Sequence, residues 1–251
     1  MIFSPSEPFT TLPSNRMGIF NTKYIKFCSE FDWRVRNLIM VVKCFTKRHN
    51  LTGSGRGDHL TSYSFVLMVI FFLQSEGILH PLNILQNVPG VENIIIDGFN
   101  VAFSTDRSQL PPLQPNNSSL TDFLRNFLEY FTLFDFENNV ICPLLGSPVL
   151  RDNLRTGVDL PDCLHNYNRG QGRLKLETTI VIQDPFELTR NVSGNLSVRK
   201  LDRIVTMFRA AALVLGVVVR NNIGANMDTV FRLLFTPGFE MTEEFSKLIE
   251  E

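Results

Sequence analysis

Residues 60–74, LTSYSFVLMVIFFLQ, are apolar almost all the way round any helix drawn through them. A helix of that kind has no face to offer water, so it belongs at the centre of a body with other elements packed around it. Two apolar runs, 65–73 and 210–219, fall short of the roughly 20 residues that span a bilayer. Both read as buried structure, and no membrane partner is expected.

The composition agrees with a folded body. The 251 residues are 44% hydrophobic and 20% charged with a net charge of -1, the balance of an ordinary globular protein. A chain of this length buries roughly three quarters of its unfolded surface and needs neither disulfide nor structural metal. Cys28, Cys44, Cys142 and Cys163 are scattered, with no C-x-x-C pair. Together with an N-terminus that lacks the basic start and apolar stretch of a signal peptide, they point to a reducing compartment, cytoplasmic or nuclear. The 22 phenylalanines stand against four tyrosines and one tryptophan. Phenylalanine has no polar atom to satisfy, so this bulk reads as packing and not as a platform for stacking bases.

Along the chain, residues 1–16 are rich in Ser, Thr and Pro and read as an extended lead-in, with a helical body over 17–251. Helical spacing covers 21–31 and then 33–49, where Val35, Leu38, Ile39, Val42 and Phe45 form one stripe and Asp32 is a plausible N-cap. The segment 52–58, TGSGRGD, breaks the helix, and Gly77 ends the apolar one that follows. Short strands are expected at 93–96 and 100–103 across Asp97-Gly98, a hairpin turn pair. LPPLQPNNSS, 110–119, reads as a linker. Ser119 or Thr121 then caps an amphipathic helix to about Phe134. Residues 146–176 read as loop, 178–182 as a strand, 197–215 as a helix, and the acidic C-terminus, with Glu243, Glu244, Glu250 and Glu251, as another.

Three groupings bear on chemistry. Between Lys23 and Gly57 there are eight Lys or Arg residues against Glu30 and Asp32. Lys43 and Lys47, at i and i+4, put two ammonium groups on one helical face, spaced to grip phosphates or simply to face solvent. The Gly-rich GSGRG follows a helix and lacks the Gly-Lys-Ser/Thr ending, so an interhelical loop fits it better than a phosphate cradle. Asp184, Glu187 and Arg190 lie three apart. They suit either a base edge or a helix cap, with Asp184 as N-cap, Pro185 at N1 and Glu187 at N3. His49, His59, His80 and His165 have no assignable nucleophile partner, so nucleophilic catalysis has no positive support.

Taken together, SNRMGIFNT (14–22), FDWRVRNLIMVVKCFTKRHNL (31–51), LTSYSFVLMVIFFLQ (60–74), IIIDGFNVAF (94–103) and IQDPFELTRNV (182–192) resemble the non-canonical poly(A) and terminal uridylyl transferases, which add nucleotides to RNA 3′ ends. The resemblance implies an α+β, mainly helical fold: a central helical domain with a PAP-associated segment at about 119–186 and C-terminal helices, without the catalytic palm. It also implies nucleotide contacts from Asn21 and Thr22 to sugar and base, from Lys43, Lys47 and Ser62 to phosphates, and from Tyr63 by stacking. Asp184 and Glu187 match the loop that reads the base edge, and Arg190 stands where uridine-selective members commonly carry histidine.

Such enzymes hold two divalent ions on three aspartates, because hard cations need carboxylate oxygens. The first two would lie before Ser14, and the third four residues before it, where this chain has Thr10. The expectation is a catalytically inactive remnant with no required cofactor, UTP or ATP as ligands, a homodimeric or other self-associated state, and weak RNA affinity. The alternative is one half of a split transferase, completed in trans by a palm-bearing chain that would bring Mg²⁺.

Overall fold

The computed structural model describes residues 14–54, 57–164, 172–194, 196–220 and 234–235. The expected acidic C-terminal helix lies outside these residues, as do His165 and the start of the lead-in.

Helix α1, Ser14–Phe31, begins before the expected boundary, so Ser14, Asn15 and Arg16 are helical and not extended. The helix runs from there into the body because Met17, Tyr24, Phe27 and Cys28 are all buried. Asp32, in extended backbone, separates it from α2, Trp33–Arg48, and caps that helix by accepting from the Arg34 N–H. The apolar stripe of α2 is buried as its spacing requires, while Trp33 at its start is 67% exposed. Helix α3, Ser62–Ser75, is capped by Thr61, and every residue from Ser64 through Gln74 is buried. Such a run tolerates a polar group only if it is bonded. The Gln74 amide nitrogen meets that condition, its Nε2 lying within 3.1 Å of the Tyr24 hydroxyl and the carbonyls of His80 and Pro143, while its Oε1 is buried with no hydrogen-bond partner among the described residues.

After the short α4, Leu82–Gln86, the expected hairpin forms from β1, Ile95–Ile96, and β2, Phe99–Asn100, antiparallel with Ile96 opposite Phe99. Asp97 and Gly98 both adopt positive φ, 50° and 86°, as a tight turn between twisted strands demands. The linker carries no helix or strand over 111–119, yet it is pinned. The Arg34 guanidinium donates to the carbonyls of Asn116 and Ser118, both at 2.9 Å, pairs with Asp32 at 2.6 Å and lies over the Phe123 ring.

Helix α5, Leu120–Leu133, opens with a capping box between Ser119 and Asp122 and packs against α7, Val198–Arg220. Between them and α3 lies the aromatic core. Phe127 meets Phe72 edge-on at 5.8 Å and Phe208 at 5.6 Å. The phenylalanines thus serve as packing, and the architecture is mainly helical with few strands.

Residues 146–176, expected as loop, contain β4, Val149–Leu150, and α6, Arg151–Thr156. Strand β4 pairs antiparallel with β3, Asn139–Val140. Both elements are too short to show a period. They are tied to the surrounding chain by Arg151, the first residue of α6, whose guanidinium donates to the carbonyls of Phe136, Leu176, Thr178 and Thr179. The strand expected at 178–182 begins in a bend at Thr178 and Thr179 and reaches only isolated bridges at its end, Ile182 to Ile141 and the following Gln183 to Asn191, with no ladder. The Gly-rich loop is interhelical. Its Asp58 accepts from the Ser197 N–H and hydroxyl, both at 2.7 Å, which ties the loop to the start of α7.

Candidate nucleotide site

One face of α1, made by Gly18, Asn21, Thr22 and Ile25 at helical spacing, forms a wall of an open cavity of about 760 Å³. Tyr63 and Thr61 at the start of α3, with His59 before them, form a second wall. The loop carrying Glu187, Thr189 and Arg190 forms a third, and Arg173 and Lys175 complete the rim.

The loop is fixed from beneath by Asp184. Its side chain is wholly buried, and its Oδ1 accepts from the backbone N–H groups of Phe186 and Glu187 at 3.0 and 3.1 Å. This is the bonding of a helix N-cap, as the Asp-Pro-x-Glu spacing suggested, but no helix follows. The chain turns back instead, with the Arg190 N–H donating to the Glu187 carbonyl and the Asp184 N–H to the Arg190 carbonyl. Gln183 braces the turn by donating to the Leu188 carbonyl. Phe186 inserts behind it, edge-on to Tyr24 of α1 at 5.8 Å.

The other carboxylate oxygen, Oδ2, holds the cavity wall together. It accepts from the Tyr63 hydroxyl at 3.0 Å and from Asn21 Nδ2 at 3.3 Å, bridging 163 residues of sequence in the second case. Asp184 therefore positions Asn21 and Tyr63 and does not itself line the cavity. Burial, then the neighbouring Asp184 charge, push the Tyr63 phenol far above its ordinary pKa, so it remains a donor to that carboxylate. Asn21, with its amide nitrogen bonded to Asp184, is left with a buried Oδ1 that has no hydrogen-bond partner among the described residues. An unpaired buried acceptor costs about 1–3 kcal/mol until something donates to it.

Arg190 reaches Glu187 at 3.6 Å and Asp184 at 3.9 Å, with half of its side chain exposed. Burial raises the Glu187 pKa, opposed by the Arg190 charge and assisted by Asp184. The site thus presents a cationic donor and a carboxylate side by side on one wall, and an aromatic ring on another.

Of the nine residues singled out from the sequence, Asn21, Thr22, Tyr63, Glu187 and Arg190 line the cavity and Asp184 lies directly behind it. Lys43 and Lys47 are exposed on the outer face of α2, and Ser62 is exposed at the first position of α3. These three are not part of the lining. Sequence reasoning passed over His59, Arg173 and Lys175. The last two sit in a stretch without periodicity, although the alternation of Arg173, Lys175 and Glu177 with buried Leu174 and Leu176 is an extended-chain signal. Among the described residues no three His, Cys, Asp or Glu side chains are grouped to hold a metal ion. Likewise, no described helix is long and apolar enough to cross a membrane.

Residues 119–190 match the PAP-associated family, Cid1 family poly A polymerase. The chain is 32% identical over 206 residues to human mitochondrial poly(A) RNA polymerase, covering 80% of this chain and 31% of the relative. It is 31% identical over 209 residues to the human speckle targeted PIP5K1A-regulated poly(A) polymerase, covering 79% and 21%. It therefore spans a third or less of these relatives. Among solved structures, the Cid1 poly(U) polymerase aligns over 86% of this chain and 60% of its own with a TM-score of 0.66 at 26% identity. The polymerase mtPAP in complex with GTP aligns over 86% and 43% with a TM-score of 0.68 at 25% identity. The chain is a relative of the non-canonical poly(A) and poly(U) polymerases, corresponding to their C-terminal part and carrying the PAP-associated segment.

Proposed function

We propose that this chain is a nucleotidyltransferase relative that binds nucleotide through the Asn21, Tyr63, Glu187 and Arg190 walls but does not transfer it unaided, and so acts as a binding or self-associating protein. The observation that carries this reading is the Asn21 amide. Asp184 Oδ2 holds it from behind by accepting from Nδ2, and Asn21 lines an open cavity, where an amide side chain suits a ribose hydroxyl. Tyr63 stands on the adjoining wall to receive a base, its orientation held by the same carboxylate. The absence of transfer rests on Thr10, which stands where the resemblance implies a metal-holding aspartate. Weak RNA affinity follows from the solvent-facing cations of α2, Arg36, Lys43, Lys47 and Arg48.

The test combines calorimetric titration of the protein with UTP and ATP, an RNA 3′-extension assay with Mg²⁺, and light scattering. The reading expects saturable nucleotide binding that Asn21→Ala weakens, no extension, and a mass above that of one chain. Absence of any nucleotide binding overturns the pocket reading, and a single-chain mass overturns self-association. Extension that Asn21→Ala abolishes overturns inactivity. Extension appearing only on addition of a palm-bearing chain establishes the split transferase in its place.

A further inference from the structure

We infer that the acidic segment 236–251 of this same chain docks on the C-terminal half of α2, setting its glutamates against the cations there. The face is open and of one sign. Met40, Lys43, Cys44, Lys47 and Arg48 are all exposed, and α2 contains no Asp or Glu. Arg203 of α7, also exposed, donates to the His49 carbonyl at 3.4 Å and adds a cation at the same end. Among the described residues, Lys43, Lys47 and Arg48 pair with no carboxylate. The partial negative charge of the helix C-terminus, roughly half a unit, does not balance these cations. Neither lysine lines the nucleotide cavity, so the inference stands apart from that site.

The chain itself delivers an acidic partner to this face. Leu234 is buried, and Phe235 meets Phe45 of α2 edge-on at 6.3 Å. Their carbonyls are held at the end of α2, that of Leu234 by a 2.6 Å bond from the His49 Nε2–H and that of Phe235 by a 2.7 Å bond from Arg48 Nε. The chain past Phe235 therefore starts beside Arg48, one position from Lys47. It reads TPGFEMTEEFSKLIEE, with five Glu against one Lys. Glu240, Glu243 and Glu244 follow Phe235 by five to nine positions, a reach of up to roughly 16–30 Å. Met40 and Arg48 are only about 12 Å apart along the helix. Met241 and Phe245 offer apolar groups for the exposed Met40. Exposed ion pairs are individually weak, but tethering holds the glutamates at an effective concentration on the order of millimolar. A free partner of the same charge lacks that advantage. Once docked, the segment occupies the cations from which the weak RNA affinity proposed above derives, and RNA phosphates must displace it.

The test is carbodiimide cross-linking of the full chain, which joins an amine to a carboxylate only in direct contact, mapped by mass spectrometry on an equal mixture of light and heavy-nitrogen protein. The expected products join Lys43 or Lys47 to Glu240, Glu243 or Glu244 in peptide pairs of a single isotope. Pairs of mixed isotope overturn the inference in favour of a second copy's segment, and the absence of such cross-links overturns it outright. Cys44 gives a second readout, because it stands exposed on this face while Cys28 and Cys142 are buried. The full chain carrying Glu240→Gln, Glu243→Gln and Glu244→Gln should react with N-ethylmaleimide at Cys44 several-fold faster than the parent, and equal rates count against docking. The same variant should bind a short oligo(U) RNA several-fold more tightly, and that gain should vanish when Lys43→Ala and Lys47→Ala are added. A gain that persists comes from net charge alone and overturns the competition with RNA. RNA binding absent from every variant removes the RNA reading and leaves docking to be decided by the cross-links.

Discussion

Two buried ions hold two loops in this molecule, and they do so differently. The Arg151 guanidinium, 6% exposed, donates to four backbone carbonyls at Phe136, Leu176, Thr178 and Thr179. The wholly buried Asp184 gives one oxygen to backbone N–H groups and the other to the side chains of Tyr63 and Asn21. A charge bonded only to backbone fixes the path of the chain. One shared between backbone and cavity side chains fixes the path and also aims groups at a ligand, which separates a structural clip from a site.

Substituting each ion tests that distinction most strongly. Arg151→Ala removes the donors of four carbonyls and is expected to cost about 3–5 kcal/mol of stability. The protein that remains folded should bind nucleotide with unchanged affinity, as judged by urea denaturation followed by circular dichroism alongside titration. Loss of affinity without loss of stability would erase the contrast. Asp184→Asn is expected to cost about 2–3 kcal/mol, since an amide N–H then opposes the Tyr63 or Asn21 donor. This variant should also lose nucleotide binding in the surviving folded fraction. Tyr63→Phe deletes one donor and keeps the ring, so a stability loss of about 1 kcal/mol is expected with only a small change in affinity. A large loss there would assign the hydroxyl to the ligand and not to Asp184.

The smallest effect expected is one of pH, where two carboxylates, Asp32 and Glu187, behave oppositely. The Arg34 hydrogen bond holds Asp32 below its ordinary pKa. Its contribution to stability is therefore present above the unfolded value, about 4, and is lost as pH falls through the folded one. Burial raises Glu187, so its charged form is disfavoured in the folded protein. Glu187→Gln should be more stable than the parent at pH 7, with the gap closing as pH falls toward about 4. A gap that widens on acidification would mean that Arg190 outweighs burial.

The helices were legible where burial is one-sided. The stripe on α2 and a cap at Ser119, one of two candidates for α5, both follow from spacing that a helix must obey. The Asp97-Gly98 turn was equally plain, since few residues accept positive φ in succession. What stayed hidden was short or held from a distance. Strand β4 and helix α6 occupy 149–156, yet their stabiliser, Arg151, acts through carbonyls near 176–179 that carry no side-chain signal. In the site, the spacing of Asp184 and Glu187 predicted a cap, which is the correct bonding, and a helix, which is absent. Only the tertiary structure brings Tyr63 and Asn21 to that carboxylate. The resemblance to the transferases named both residues but could not say that Asp184 would be sealed behind them.

The single tryptophan has an optical consequence. Trp33 opens α2 with 67% of its surface in water, beside the Asp32 and Arg34 pair and away from the phenylalanine core. Its emission in the native protein should already resemble that of a free indole in solvent, so unfolding will scarcely change its colour. Docking will. Any second chain or RNA that covers the outer face of α2, where Met40, Lys43 and Lys47 also stand exposed, must remove water from that indole and shift its emission to the blue.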